Sequence, residues 1–183
     1  MLFRSNLQDG TTVGVTVGGS VDHNITSIEN ITGTNQADII TGSESKNVFV
    51  GMGGSDTITG IAGNNVMYGG TMERNSASTD VDTIYGGTGN DTIYGAAGAD
   101  DLRGGLGDDT IYAGAGDDIV RSGIGEDTLY GEAGNDTFVF EAADNMTNLV
   151  FGGNETTDNG SLDMVDYRQA IKGLVIDLDG KTN

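Results

Sequence analysis

The nonapeptide Gly86–Tyr94, GGTGNDTIY, is rewritten nine residues later and then again, and a strict period of nine leaves a chain very few folds. With the aspartate set at position 6, the chain falls into register from Gly33 onward. The turns 33–41, 42–50, 51–59 and 60–68 place Asp38, Asn47, Asp56 and Asn65 at position 6, with Ile40, Phe49, Ile58 and Met67 at position 8. Residues 69–85 form one long turn with about eight extra residues around MERNSAST, after which Asp82 and Ile84 restore the phase. Six uninterrupted turns follow, carrying Asp91, Asp100, Asp109, Asp118, Asp127 and Asp136 at position 6. Their position 8 holds Ile93, Leu102, Ile111, Val120, Leu129 and Phe138. At the edges, Glu29 with Ile31 fits one earlier turn, while Asn148 with Val150 and Asp163 with Val165 fit two later, longer ones.

Each repeat has two halves with different physics. Its last three residues, such as Thr92, Ile93 and Tyr94, are β-branched and aromatic with an apolar centre, which makes a minimal strand with one side chain turned inward. Its first six are a turn, in which glycines at positions 1, 2 and 4 permit backbone angles and close approaches that a side chain would block. A strand and a turn every nine residues predict an all-β, two-sided parallel coil of about eleven nonapeptide turns, two repeats per winding, with windings about 4.8 Å apart. Position 6 then stacks on the position 6 of the second repeat along, not of the next. One column holds Asp38, Asp56, Asp82, Asp100, Asp118 and Asp136; the other holds Asn47, Asn65, Asp91, Asp109 and Asp127.

Stacked carboxylates need a partner. Like charges about 5 Å apart repel by about 3 kcal/mol at an effective dielectric near 20, whereas burying one Ile or Leu returns about 1.5 to 3 kcal/mol before entropy is counted. The whole chain repeats the imbalance: 28 acidic against 8 basic side chains, a net charge of −20, in 183 residues of which 32 are glycine. Such a chain repels nucleic acid and anionic membranes and attracts cations. Its fixed aliphatic phase argues against simple charge-driven disorder. Calcium suits the site, because it takes six to eight oxygens in flexible geometry, whereas magnesium wants a stricter octahedron. Zinc would want His or Cys. There is no Cys, hence no disulfide, thiolate site or catalytic thiol, and the one His, His23, stands outside the array as a surface residue.

Other functions find less support. HExxH, GxSxG and P-loop patterns are all missing, and acidic pairs such as Asp108 and Asp109 recur with the repeat, unlike a catalytic dyad, so no enzyme is expected. An alternative is glycan binding by the outward position-9 row Tyr68, Tyr94, Tyr112 and Tyr130, flanked by Thr92, Thr110 and Thr128. The plainer expectation for that row is a cross-strand ladder. Arg103 and Arg121 beside Asp101 read as solvated pairing. No window approaches the roughly 18 apolar residues of a membrane span and the start lacks a basic, then apolar, leader, so a soluble chain exported by another signal is expected.

The repeats GGTGNDTIY, GGLGDDTIY and GEAGNDTFV resemble GGxGxDxUx, the hemolysin-type calcium-binding repeat of RTX proteins, strongly from Gly33 to Val139 and weakly in the flanks. The resemblance implies a right-handed parallel β-roll that folds on binding several calcium ions, within large bacterial proteins secreted unfolded through type I systems. It also implies ions between loops two repeats apart, each held by both position-6 aspartates and by alternating loop carbonyls. Carried over, the ligands are Asp38, Asp56, Asp82, Asp91, Asp100, Asp109, Asp118, Asp127 and Asp136, with Gly89, Gly98, Gly104, Gly107 and Gly116. The ion between Asp100 and Asp118 would also take carbonyls from around Gly98 and Ala113. Gln36 and Ser45 replace the position-4 glycine, and Asn47 and Asn65 the aspartate, so the early sites depart from the pattern. The expected organisation is N-terminal cap strands over 1–32, the calcium-binding roll over 33–139, and degenerate turns over 140–183 that either cap it or begin a next module. The last option rests on Tyr167-Arg168-Gln169-Ala170 with KGLVIDLDG, which looks like Phe3-Arg4-Ser5-Asn6 with TVGVTVGGS. The expected setting is a monomeric module of a secreted, adhesin-like protein, with polysaccharide or a cell surface as a further partner.

Overall fold

The computed structural model of the chain describes residues 12–17, 20–26, 29–73, 79–140, 147–153, 163–166 and 174–177. Every element among them is a strand. In chain order these are β1 (Thr12–Val17), β2 (Ser20–Thr26), β3 (Asn30–Thr32), β4 (Asp38–Thr41), β5 (Val48–Val50), β6 (Thr57–Thr59), β7 (Val66–Tyr68), β8 (Thr83–Thr88) and β9 (Thr92–Ala97). They continue with β10 (Asp101–Leu106), β11 (Thr110–Ala115), β12 (Ile119–Ile124), β13 (Thr128–Ala133), β14 (Thr137–Val139), β15 (Asn148–Gly153), β16 (Met164–Asp166) and β17 (Leu174–Asp177).

Alternate strands go to alternate sheets. The even strands from β4 to β16 line up in one nine-stranded sheet that ends in β1 and β2, and the odd strands from β3 to β17 form an eight-stranded sheet. Two nonapeptides therefore make one winding, and the eleven in-phase repeats amount to about six windings of a parallel β-solenoid. The register carries the period: Thr92 pairs with Thr110 and Asp101 with Ile119, each in the second repeat along. Across the long turn Thr57 pairs with Thr83 and Val66 with Thr92, so the extra residues loop out without shifting either sheet. Among the described strands only β1 breaks the parallel rule, running antiparallel to both β2 and β4. Residues 3–6 and 167–170, which suggested a next module, and the side chain of His23 lie outside the described residues.

The core is one file of side chains between the sheets. Ile31, Ile40, Phe49, Ile58, Met67, Ile84, Ile93, Leu102, Ile111, Val120, Leu129, Phe138 and Val150 are all buried, as position 8 requires. Phe140 and Ala113, both at position 1 of their turns, join them.

Turn geometry explains the glycines. Position 4 is left-handed at every glycine from Gly54 to Gly134, as at Gly107 (φ 121°), where an added Cβ would run into the carbonyl of Gly89 one winding back. Position 2 of the nine-residue turns from 51–59 onward is left-handed too, and there the chain carries Met52, Ile61, Ala96 and Glu132 beside its glycines. A β-branched residue in this region is strained. Ile61, with φ at 73°, is 43% exposed and stands outside the buried file, so its replacement leaves the core intact. Ile61→Gly is therefore expected to stabilise the calcium-loaded chain by about 1 kcal/mol; a lowered midpoint in denaturant would contradict the strain.

Candidate metal centre

Every position-6 side chain sits where the turn enters the strand, and at the aspartates the two oxygens have separate fates. Oδ1 accepts the backbone N–H of the position-6 residue one winding back. In the first column Asp38 donates to Asp56, Asp56 to Asp82, Asp82 to Asp100 and Asp100 to Asp118, each at 2.8 Å. In the second, Asn47 donates to Asn65 at 2.9 Å, Asn65 to Asp91 at 2.7 Å, Asp91 to Asp109 at 2.8 Å and Asp109 to Asp127 at 2.9 Å. The columns run on past the sequence array, since Asp136 N–H donates to Asp163 and Asp127 N–H to Asn148.

The other oxygen points into the gap toward the next winding. Oδ2 of Asp56, Asp91, Asp100, Asp109 and Asp118 is buried with no hydrogen-bond partner. A buried carboxylate oxygen left this way costs free energy, and a native chain tolerates it where an ion completes the site. The position-1 glycine keeps the gap open: a Cβ built on Gly86 would lie 2.5 Å from both Asp91 Oδ2 and the carbonyl oxygen of Gly104. Asp100 Oδ2 shares its gap with the Ala113 carbonyl in the same way, at Gly95. Gly89, Gly98, Gly107 and Gly116 supply the left-handed corners of these loops. Among the described residues no three acidic or His side chains converge on a point. What each gap offers is carboxylate and backbone carbonyl oxygen, a donor set suited to calcium.

Electrostatics agree with the geometry. Burial, reinforced by the charge of stacked neighbours, pushes Asp109 and Asp118 up to about 8 and Asp56 and Asp82 up to about 7, against the pull of the N–H each accepts. Burial alone raises Asp91 and Asp100 to about 6. Without a cation Asp109 and Asp118 hold protons at neutral pH, Asp56 and Asp82 do so in part, and Asp91 and Asp100 are mostly ionised.

The early turns are built differently. Asn65 places its amide nitrogen where the aspartates place Oδ2, and it donates to the carbonyls of Ala62 at 3.2 Å and Gly63 at 3.0 Å. The amide thereby satisfies loop carbonyls with a neutral donor. Asn47 Oδ1 accepts the N–H (2.9 Å) and hydroxyl (3.2 Å) of Ser43. Asp38 Oδ2 is engaged likewise, by Thr34 N–H at 2.6 Å and Thr34 Oγ1 at 3.2 Å. Thr34 and Ser43 replace the position-2 glycine, and these hydroxyls were the signal, unused in the sequence, that the first loops close on themselves.

Position 5 was also missed. Asn90 N–H donates to Asn64 Oδ1 at 3.1 Å, Asp108 N–H to Asn90 Oδ1 at 3.0 Å and Glu126 N–H to Asp108 Oδ1 at 3.0 Å. This exposed ladder runs opposite in sense to the buried one and accounts for the recurring acidic pairs. On the outer face of the odd sheet Tyr68, Tyr94, Tyr112, Tyr130 and Phe151 stack with ring centroids 4.7 to 5.0 Å apart and planes within 7°. On the even sheet Arg121 pairs with Asp101, and Arg103 lies over the Tyr85 ring at 5.4 Å.

A family model described as the RTX calcium-binding nonapeptide repeat, in four copies, matches residues 26–58, 41–71, 76–111, 103–138 and 112–145, together more than half of the chain. No curated protein matches the chain.

Proposed function

Because the chain belongs to the RTX calcium-binding nonapeptide repeat family, we propose that it is a module whose folding is driven by extracellular calcium and which serves the secretion and structure of a larger, adhesin-like protein. The observation that carries this is the row of buried, unpartnered Oδ2 atoms facing position-1 carbonyls. The ions would be held by Asp82, Asp91, Asp100, Asp109, Asp118, Asp127 and Asp136 with Asp56, and by loop carbonyls including those of Gly104 and Ala113; Gly89, Gly98, Gly107 and Gly116 shape the loops and present their own carbonyls. Asp38, already bound to Thr34, would contribute least. Bound calcium supplies the positive charge the columns lack. The chain's own part is to gather oxygens around each ion as it folds and to exclude water.

The calcium-binding roll is placed at 33–139, cap strands at 1–32 and degenerate or module-joining turns at 140–183. A secreted setting accords with the family and with the net charge of −20, which suits an environment rich in free calcium. Among the described residues no helix is long and apolar enough to cross a membrane. RTX repeats form a structural module, and no catalytic role is assigned to these residues. Glycan stacking on the tyrosines would need open ring faces. Each inner ring is covered on both sides by its neighbours, which favours sheet reinforcement over sugar binding.

Occupancy tests the ligand set. Anomalous scattering from calcium-loaded crystals is expected to place ions between Asp82 and Asp100, Asp91 and Asp109, Asp100 and Asp118, Asp109 and Asp127, and Asp118 and Asp136. The gap between Asn47 and Asn65 should hold none. A full ion there, or bare loops between Asp100 and Asp118, would overturn the assignment.

A further inference from the structure

The long turn 69–85 interrupts the period, yet its return is docked residue by residue. Val81 N–H donates to Ser55 Oγ at 3.2 Å, and Asp56 N–H donates to Asp82 Oδ1 at 2.8 Å. Between these contacts lies a substitution found at none of the four gaps that open at Gly89, Gly98, Gly107 and Gly116. In the regular windings the position-4 N–H donates to the position-3 carbonyl of the next winding: Gly89 to Leu106 at 2.7 Å, Gly98 to Ala115 at 2.8 Å, Gly107 to Ile124 at 2.9 Å and Gly116 to Ala133 at 2.7 Å. Gly54 N–H donates instead to the carboxylate Oδ2 of Asp80, at 2.7 Å. Asp80 itself stands at position 4, since its carbonyl meets Gly98 as the Gly98 carbonyl meets Gly116. The looped-out residues thus exchange a neutral carbonyl for a full negative charge.

That charge borders a gap already short of one partner. Asp56 is 1% exposed, and its Oδ2 is unpartnered and faces the Gly69 carbonyl across the space held open by Gly51. We propose that Asp80 makes the gap between Asp56 and Asp82 a calcium site whose position-4 corner is held by a carboxylate where the regular gaps place a neutral carbonyl, and that it is the last site to release its ion. This rests on the calcium reading of the repeat. Because three acidic side chains do not close into a cage here, Asp80 is a positioning residue: it adds charge and holds the Gly54 corner, while Asp56, Asp82 and carbonyls present the oxygens. Oxygen-rich calcium sites tighten as ligand charge is added.

The test is amide-resolved NMR of the full chain, loaded with calcium and depleted by graded chelator. Gly54 reports this gap and Gly107 a regular one. In the unmodified chain the Gly54 signal is expected to outlast that of Gly107. Asp80→Asn keeps an acceptor for the Gly54 N–H and removes only the charge, so the Gly54 midpoint should move to about tenfold higher free calcium while Gly107 stays. An unmoved Gly54 midpoint, or an equal shift of both, would overturn the proposal. So would a shift in Asp80→Ala with none in Asp80→Asn, which would leave Asp80 a hydrogen-bond acceptor and nothing more. Silence of both amides to calcium in the unmodified chain would remove the calcium reading itself, a failure distinct from the others.

Discussion

Chelating calcium is expected to abolish most of the β-structure, and millimolar calcium to restore it, as followed by far-ultraviolet circular dichroism. Within each buried column the carboxylates stand one winding apart, and at neutral pH the metal-free roll must either keep a stacked pair charged, at about 3 kcal/mol at an effective dielectric near 20, or take up protons, at about 1.4 kcal/mol per pH unit above the ordinary value of 3.8. The return per repeat is one buried position-8 side chain, about 1.5 to 3 kcal/mol, set against the ordering of nine residues rich in glycine. The metal-free roll therefore has no surplus at neutral pH. Calcium would reverse the balance by replacing repulsion or bound protons with shared coordination, and its binding free energy would become folding free energy. Magnesium should substitute poorly, because carbonyls and carboxylates spaced by a flexible loop do not impose its octahedron. The same spectrum with chelator and with calcium would refute this.

Acid is expected to weaken calcium binding steeply, and to favour the metal-free roll. Asp56, Asp82, Asp91, Asp100, Asp109 and Asp118 are raised to between about 6 and about 8 from an ordinary value of 3.8, first by burial and, for all but Asp91 and Asp100, also by neighbouring charge. A carboxyl group whose affinity for protons is higher folded than unfolded contributes stability in full below its unfolded value. That contribution is lost as pH rises through 6 to 8, so the metal-free chain should hold more structure at pH 5 than at pH 8.5. Calcium competes for the same oxygens and must expel those protons. Its apparent affinity should climb from pH 5 to pH 8, by about tenfold per pH unit for each proton released, and level off above. Calcium added at pH 6 to weakly buffered protein should acidify the solution. No proton release, or a metal-free chain more ordered at pH 8.5 than at pH 5, would count against buried, stacked carboxylates.

Much of the fold was legible because the repeat is physically redundant. Position 8 recurs every nine residues as Ile, Leu, Val, Phe or Met, and each such residue proved buried because an alternation of strand and turn leaves one inward direction per repeat. The two columns followed from the same arithmetic, and even the displaced members Asn148 and Asp163 joined them. Less legible were contacts that depend on which of two carboxylate oxygens faces which neighbour. Thr34 and Ser43 look like ordinary turn residues until their hydroxyls are seen on Asp38 and Asn47. Asp80 looks like part of an insertion until its carboxylate is found on Gly54.

The period of nine, by itself, determined a parallel coil with an aliphatic file inside and carboxylates stacked at its turns, because only one winding length brings like positions together. Tertiary structure alone decided the division of each carboxylate, one oxygen to a backbone N–H and one to the gap, since that depends on side-chain rotation and on the next winding's carbonyl. It alone decided that the tyrosine faces close on one another, because a sequence shows that aromatic residues share a column but not the angle at which they meet. The fate of the extra residues was decided there too: a chain excursion has no period, and its return is set by what it can bind in the winding beneath.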